Sequence, residues 1–266
     1  MNFNTIKRIF QYLSYWFRHP HRKGHGIHSP FLFDFVDQVL YKKTPGNKHL
    51  KDIGNMRRSM LQDNTIIEIE DFGAGSSQIS GNRRKISDIA RHSSTSLKYG
   101  RLLYNLVNHY KPHTIIELGT CLGIGTMYLA SANENSKVYT IEGSKSLAQK
   151  ALHSFDQFGM TNTFPEQGNF DEVLPKILNE IGKFDLVFID GNHKKEATLR
   201  YFKLLLPYLH SNSIIIFDDI RWSNEMEMAW CEIYNHKNIK LSIDLFNLGI
   251  VFFNEKLIKQ HFEIYY

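Results

Sequence analysis

Cysteine is scarce in this sequence. Only Cys121 and Cys231 occur among 266 residues. One widely separated pair gives no disulfide framework, and neither cysteine has the paired spacing of a zinc site. The fold must therefore be held by a hydrophobic core, which a chain of this length is large enough to bury.

Long apolar runs are absent as well. No stretch approaches the roughly 20 apolar residues that span a bilayer. The first residues also lack the apolar core and the small-residue cleavage site of a secretory signal. Composition shows no low-complexity or collagen-like bias. We therefore expect a globular, cytoplasmic protein with reduced thiols.

An excess of positive charge is confined to the first part of the chain. Residues 1–113 carry 18 Lys and Arg against 8 Asp and Glu, whereas residues 114–266 carry 14 against 19. A basic region can bind nucleic acid or an anionic membrane, but a solvated basic face is the simpler interpretation. Residues 2–19 predict an amphipathic helix. That helix could make a peripheral membrane contact, pack on its own domain, or form a homodimer.

From residue 94 onward the pattern alternates regularly between helix and strand. Apolar runs such as TIIEL and FDLVFID, separated by helical segments, predict parallel strands joined by crossover helices. Only about one residue separates the last two predicted strands, so the final strand is expected to run antiparallel. The prediction is an α/β fold in which residues 94–266 form a doubly wound, seven-stranded, mostly parallel sheet. Residues 1–93 are predicted to form an N-terminal helical cap with a short strand and turn.

A glycine-rich turn follows the first strand of this domain. Glycines stand at positions 119, 123 and 125, whereas a dinucleotide-binding fingerprint would need them at 119, 121 and 124. A pyrophosphate cradle is therefore a poor fit. The next strand ends in Glu142, at the sheet edge where such folds bind ligands, and its carboxylate could accept hydrogen bonds from two ribose hydroxyls.

A loose glycine loop between two acid-ended strands resembles the class I S-adenosylmethionine-dependent methyltransferases. The resemblance implies a Rossmann-like fold and S-adenosylmethionine as cofactor. It places Glu142 on the ribose, Glu117 near the amino group of the cofactor, and Asn169 and Phe170 beside the adenine. The full set of cofactor contacts that it implies is Glu117, Gly119, Thr120, Gly123, Glu142, Asn169, Phe170 and Asp190.

A second glycine turn, EDFGAG at residues 70–75, has a similar local sequence. No acid-ended strand follows it at the right interval, and the next stretch is basic and helical in pattern. We therefore interpret residues 65–81 as a cap or substrate loop.

Three carboxylates are predicted to meet at the rim of the sheet. Asp190 ends one strand, and Asp218 and Asp219 end the strand expected beside it. Such groups repel one another unless a cation or protons intervene, and oxygen ligands suit Mg²⁺. The pattern Asp-Gly-x-His, Leu-Pro-x-Leu, Asp-Asp is similar to the macrocin and mycinamicin group of metal-dependent O-methyltransferases, and more distantly to catechol O-methyltransferase. This resemblance implies that Asp190, Asp218 and Asp219 bind the metal, that His193 is the general base, and that Asp190 lies at the reacting centre.

The resulting expectation is a Mg²⁺-dependent O-methyltransferase that acts on a small-molecule or sugar hydroxyl. Without a metal, Asp218 and Asp219 would only cap the following helix, and His193 would only close its turn. A nucleic-acid methyltransferase is an alternative, although DGNH at residues 190–193 differs from the Asn/Asp-Pro-Pro-aromatic turn of enzymes that methylate base amino groups. A non-catalytic, membrane-docked protein on the same fold is the third alternative.

Overall fold

The computed structural model describes Tyr15 and residues 29–44, 46–70 and 82–266. The helix predicted over residues 2–19 lies outside this part of the chain apart from Tyr15, and so does most of the second glycine turn. Within the described part, no helix has the length and apolar character needed to cross a membrane.

Helix α1, Pro30–Phe35, runs into a π-helical turn, Val36–Leu40. Ser29 caps this helix, because its hydroxyl accepts a hydrogen bond from the backbone N–H of Leu32. Proline is suited to the first helical position because the N–H that it lacks would have no partner there.

The rest of the cap contains two further helices and a hairpin. Helix α2, Lys48–Met60, lies in a segment whose polar sequence gave no clear pattern. Strands β1, Ile66–Glu68, and β2, Arg83–Lys85, pair antiparallel. Helix α3, Ile86–His92, follows directly, so the basic segment after residue 82 begins as a strand and only then becomes helical.

The remaining chain alternates between helices and strands. The elements are α4 Leu97–Tyr110, β3 Thr114–Leu118, α5 Ile124–Ser131, β4 Lys137–Glu142, α6 Lys145–Phe158, β5 Thr163–Gln167, α7 Phe170–Ile181, β6 Leu186–Ile189, α8 Lys195–Leu205 with a 3₁₀ turn Leu206–Tyr208, β7 Ile214–Phe217, α9 Asn224–Asn235, β8 Leu241–Asp244, β9 Gly249–Phe252 and β10 Gln260–Glu263.

The strands from β3 to β10 form an eight-stranded sheet in the order β10-β8-β9-β7-β6-β3-β4-β5. All neighbouring strands are parallel except at β9, which runs antiparallel to both β7 and β8.

The α/β fold, its mostly parallel sheet and the reversal near the end of the chain are confirmed. The strand count differs from the predicted seven, because β10 adds an eighth strand parallel to β8 at one edge. Its sequence, QHFE, is too short and polar to stand out as a strand. At the opposite edge, β5 contains Pro165 near its middle.

Helices cover both faces of the sheet. The central strands β6 and β7 are buried along their whole length, which is typical of parallel strands packed on both sides. One hydrophobic cluster joins the cap to α4 and α5 on the first face. A second cluster joins α7, α8 and α9 to the other face. The sheet is thereby fixed between two helical layers, and its carboxyl-end loops are left to form a site.

Candidate functional site

A cavity of about 440 Å³ lies at the carboxyl ends of the parallel strands. Every parallel strand from β3 to β7 sends residues from its end, or from the loop just after it, into the lining. The predicted site residues that line this cavity are Gly119, Glu142, Asn169, Phe170, Asp190, His193, Asp218 and Asp219. The structure therefore brings the glycine loop and the three acids together in one cavity.

Glycine at position 119 is required by close backbone packing. Its φ of +108° belongs to a region that other residues rarely adopt, and a Cβ atom here would lie 2.2 Å from the carbonyl oxygen of Asp190. The first loop and the end of β6 are therefore in direct contact. This contact forms the floor between the glycine loop and the acids.

Glu142 is held rigidly at the end of β4. Its Oε2 accepts a hydrogen bond from the Cys121 backbone N–H at 2.8 Å, and its Oε1 accepts one from the Ser144 backbone N–H at 2.9 Å. Each carboxylate oxygen can accept a further bond. The side chain is thus preorganised to receive two hydroxyl donors, which is the chemistry predicted for a ribose.

Three predicted cofactor contacts, Glu117, Thr120 and Gly123, do not line the cavity. Glu117 is 1% exposed, and its carboxylate accepts hydrogen bonds from the hydroxyls of Thr126 and Thr140. It is an interior residue of β3, so its side chain points to a face of the sheet and not beyond the strand end. The contact of these three residues with the cofactor stays a prediction, and their position outside the cavity lining does not favour it.

Burial controls the ionisation of Glu117. Removal from water raises its pKa to about 7, whereas the two threonine hydroxyls act in the opposite direction and Glu142 raises it further. The Glu117 carboxyl, which lies beneath the glycine loop, therefore keeps its proton to a higher pH than an ordinary glutamate does.

The acids at the other side of the cavity interact with one another. Burial raises the pKa of Asp190 well above its ordinary value, and the negative charges of Asp218 and Asp219 raise it further. The close approach of the Asp218 side chain raises this pKa as well. A cation or a proton between these two groups would relieve the repulsion.

Spacing sets a limit on the metal interpretation. Within the described part of the chain, one group of three metal-ligand side chains has its ligating atoms within 4.8 Å of one another. That group is Asp244, His261 and Glu263. The three predicted ligands do not reach that spacing. Their oxygen-only chemistry fits a hard cation, but a shift of at least one carboxylate would be needed for all three to bind it.

His193 lies beside the acids and is suited to accept a proton. Its Nε2 lies 3.8 Å from Oδ1 of Asp190, and its ring lies 6.3 Å from that of Trp222. Burial lowers the pKa of the imidazole, although the charge of Asp219 opposes this. A neutral imidazole at working pH can act as a base.

Several lining residues lie outside the set of site residues predicted above. Tyr99 lies on the first turn of α4 and lines the cavity together with Asn247, and burial, together with the charge of Asp218, raises the pKa of its phenol. The hydroxyl-rich stretch of residues 93–96 lines the same wall. The sequence shows a helix start after a serine-rich loop, and the structure places this start in the wall of the cavity.

Left-handed backbone conformations in residues other than glycine concentrate around the site. Asn192 and Asp219 have φ values of +53° and +51°, and Cys121 has +51°. Such conformations cost free energy and often occur at functional sites. Here each one follows a strand end, where it turns the chain back across the cavity.

Comparison with known proteins agrees with this geometry. Residues 116–220 match the family model described as a methyltransferase domain. The chain is 29% identical over 130 residues to a catechol O-methyltransferase of Niastella koreensis, covering 48% of this chain and 58% of that protein. It is 28% identical over 129 residues to an O-methyltransferase of Aspergillus hancockii, covering 46% and 50%. The chain thus spans little more than half the length of these curated relatives.

Solved structures show the same fold. The O-methyltransferase of Bacillus cereus in complex with SAH superposes with a TM-score of 0.55 at 19% identity, over 84% of this chain and 97% of that one. TomG of Streptomyces achromogenes, in complex with SAM, gives a TM-score of 0.56 at 17% identity, over 84% and 95%. The fold is the Rossmann-like fold of class I methyltransferases, and the chain is related to S-adenosylmethionine-dependent O-methyltransferases. The finer resemblance to macrocin-type enzymes stays a prediction.

Proposed function

We propose that the protein transfers a methyl group from S-adenosylmethionine to a hydroxyl of a small molecule. The observation that carries the proposal is the single cavity in which the Gly119 loop and Glu142 face the same space as Asp190 and His193. A donor site and a proton acceptor must share one space for direct transfer, since reacting atoms have to approach to about 3 Å.

The cavity has features that fit the cofactor. Glu142 has two anchored oxygens that can accept hydrogen bonds from ribose hydroxyls. The Phe170 ring lies against the backbone of Gly191, where a Cβ would lie 2.7 Å from it, and offers an aromatic wall for the base. When bound, S-adenosylmethionine supplies a methyl group made electrophilic by its sulfonium sulfur.

The chemistry of transfer assigns a role to His193. Bound S-adenosylmethionine would supply the methyl carbon for a new C–O bond and would keep the electron pair of the broken C–S bond on its sulfur, so this chain has only the hydroxyl proton to move. The hydroxyl proton passes to the neutral imidazole of His193, whose lowered pKa keeps it free to accept it. The charge of Asp219, which opposes the lowering of that pKa, would stabilise the imidazolium that forms.

A magnesium ion belongs to the proposal as a separate component. Asp190, Asp218 and Asp219 would hold it, and it would lower the pKa of the acceptor hydroxyl and fix its position. Asp218→Asn keeps the size of the side chain and removes one charge, so it should abolish a Mg²⁺-dependent thermal shift. Asp156→Asn, an exposed change on α6, is the matched control.

Titration calorimetry with S-adenosylhomocysteine tests the cofactor site directly. We expect binding by the wild-type protein and a loss of at least tenfold in affinity for Glu142→Ala. Methyl transfer from labelled S-adenosylmethionine to a panel of catechols and sugar alcohols, with Mg²⁺ or with EDTA, then tests the reaction. Absence of any cofactor binding would refute the proposal, whereas binding with EDTA-resistant transfer would remove the metal alone.

A further inference from the structure

The net positive charge of the chain is concentrated on two helices, α2 and α4. Together they carry six Lys and Arg against one acid, Asp52, which is a balance of +5. The whole chain also has a net charge of +5, so its other residues sum to zero. A charge of one sign collected on a small part of the surface attracts a partner of the opposite sign.

The two helices adjoin each other. Both pack on α5, and side-chain contacts join them at two points. At the start of α2 the Asn47 amide donates a hydrogen bond to the Tyr104 hydroxyl at 2.7 Å. In the middle of α2, the Leu97 side chain lies 3.8 Å from the position that a Cβ on Gly54 would take. The contact positions rise along α2 while they fall along α4, so the helices run antiparallel.

Cations from both helices lie along this contact. Burial raises the pKa of the Tyr128 phenol, and the charges of Arg101 on α4 and Arg57 on α2 both oppose that rise. Guanidinium groups of the two helices therefore lie near one phenol. The exposed cations are Lys48, Lys51 and Arg58 on α2 and Lys98 and Arg101 on α4. These five cations together with Leu97 are called the α2–α4 face.

Apolar and aromatic groups lie among these cations. Leu97 is 45% exposed, and Tyr41 is 36% exposed. The Tyr41 ring lies 6.2 Å from that of Tyr266, and Nζ of Lys98 lies 4.4 Å from the centre of the Tyr266 ring. Cations bind the headgroups of an anionic bilayer, while leucine and tyrosine side chains enter the boundary with its acyl chains.

We propose that the α2–α4 face docks on an anionic lipid surface. The surroundings favour lipid over nucleic acid, because bases need an aromatic ring face on which to stack. The Tyr266 ring is already packed against Tyr41, Tyr99 and Lys98, and Leu97 has no ring. Docking would also orient the cavity, since Tyr99 lines it and belongs to the same turn of α4. This inference goes beyond the proposed function and does not depend on it.

Vesicle co-sedimentation of the full chain tests the proposal. Vesicles of phosphatidylcholine alone are compared with vesicles of phosphatidylcholine and phosphatidylglycerol in equal parts. One variant combines Lys48→Gln, Lys51→Gln and Arg58→Gln. The matched control combines Lys176→Gln, Lys203→Gln and Lys237→Gln, which removes the same charge from exposed positions on or just after the helices that cover the other face of the sheet. Leu97→Ser tests the apolar contribution.

We expect the wild-type protein to bind the vesicles that contain phosphatidylglycerol and not those of phosphatidylcholine alone. The α2 variant should bind about 100-fold more weakly, since each cation near the surface contributes about fivefold. The control variant should change little, because salt screens charges beyond about 8 Å. Leu97→Ser should lose about tenfold. Melting temperatures should stay close to that of the wild type, because every substituted side chain is exposed.

Three outcomes would overturn the proposal. An α2 variant that bound like the wild type would locate any membrane contact elsewhere in the chain. Equal losses in the two triple variants would mean that only net charge matters. Retention of RNA by the wild-type protein, without binding to either kind of vesicle, would assign the α2–α4 face to nucleic acid.

Discussion

Nη1 of Arg221 lies 2.6 Å from Oδ1 of Asp244, and this ion pair ties the loop after the acidic strand end to the end of β8. The Asp244 carboxylate is 1% exposed and also accepts hydrogen bonds from Trp230 Nε1 and from the Phe246 backbone N–H. The Arg221 guanidinium lies 5.3 Å from the ring of Tyr15. Because Asp219 precedes Arg221 by two residues, the pair helps to fix the rim of the proposed site.

Arg221→Met should destabilise the protein by about 3–5 kcal/mol, because it leaves the buried Asp244 charge without its cation. The double change Arg221→Met and Asp244→Leu should recover most of this loss, since an apolar pair needs no compensation. Urea unfolding measures both. Arg200→Met breaks an ion pair in which both side chains are largely exposed, and it should cost no more than about 1 kcal/mol.

Glu117 should make stability fall as pH rises. Its folded pKa of about 7 lies above the ordinary glutamate value of 4.5, so between these values the folded state binds more protons than the unfolded state and loses stability with increasing pH. Glu117→Gln should remove this slope between about pH 4.5 and 7. Urea unfolding at several pH values measures the free energy of unfolding of the wild-type protein and of the variant. The difference between the two free energies should change with pH in that window, and a constant difference would show that the carboxyl does not titrate there.

Gly119→Ala should unfold the floor of the cavity locally or lower the stability of the whole domain by several kcal/mol, because its Cβ would meet the Asp190 carbonyl. Gly159→Ala is a matched control, since Gly159 also has a positive φ, of +69°, but no atom lies within 4 Å of the added Cβ. It should cost only about 1 kcal/mol. Equal losses of melting temperature in the two variants would contradict the close packing.

His193→Gln should lower the turnover of methyl transfer by about 10²–10⁴-fold if its imidazole is the base. Affinity for S-adenosylhomocysteine should change little, because the predicted role concerns the acceptor proton. The wild-type rate should decline toward low pH as the imidazole becomes protonated, and this decline should be absent from the variant. His153→Gln, an exposed change on α6, provides the control; retention of the wild-type pH profile in His193→Gln would reject the assignment.

The sequence predicted the parts of the site that follow directly from strand ends. Asp190 and Asp218 each come just after a fully apolar run, and buried parallel strands are unambiguous in such a pattern. Their convergence follows from the parallel topology, because all carboxyl ends then lie at one edge of the sheet.

Other features depended on tertiary contacts that no local pattern encodes. Helix α2 was not assigned because its sequence is mainly polar, although Leu50, Ile53, Met56 and Met60 recur at helical spacing on the side packed against the core and Asn47 caps it. The family resemblance places Glu117 near the cofactor, and the structure adds hydrogen bonds from threonines on α5 and β4 that hold its carboxylate in the interior. The hydrogen bond that Asn192 donates to the Tyr201 hydroxyl joins the loop after β6 to α8, nine residues further along the chain.

Pro165 has a consequence for how copies of this protein can meet. It stands in β5, the terminal strand of the sheet, where a proline is normally tolerated with its nitrogen facing outward. A row of free backbone groups on that strand would otherwise invite a strand from another chain. With a donor missing from the middle of the row, continuous β-pairing between molecules is disfavoured on this side, which leaves the opposite edge strand, β10, and the helical and loop surfaces for any assembly.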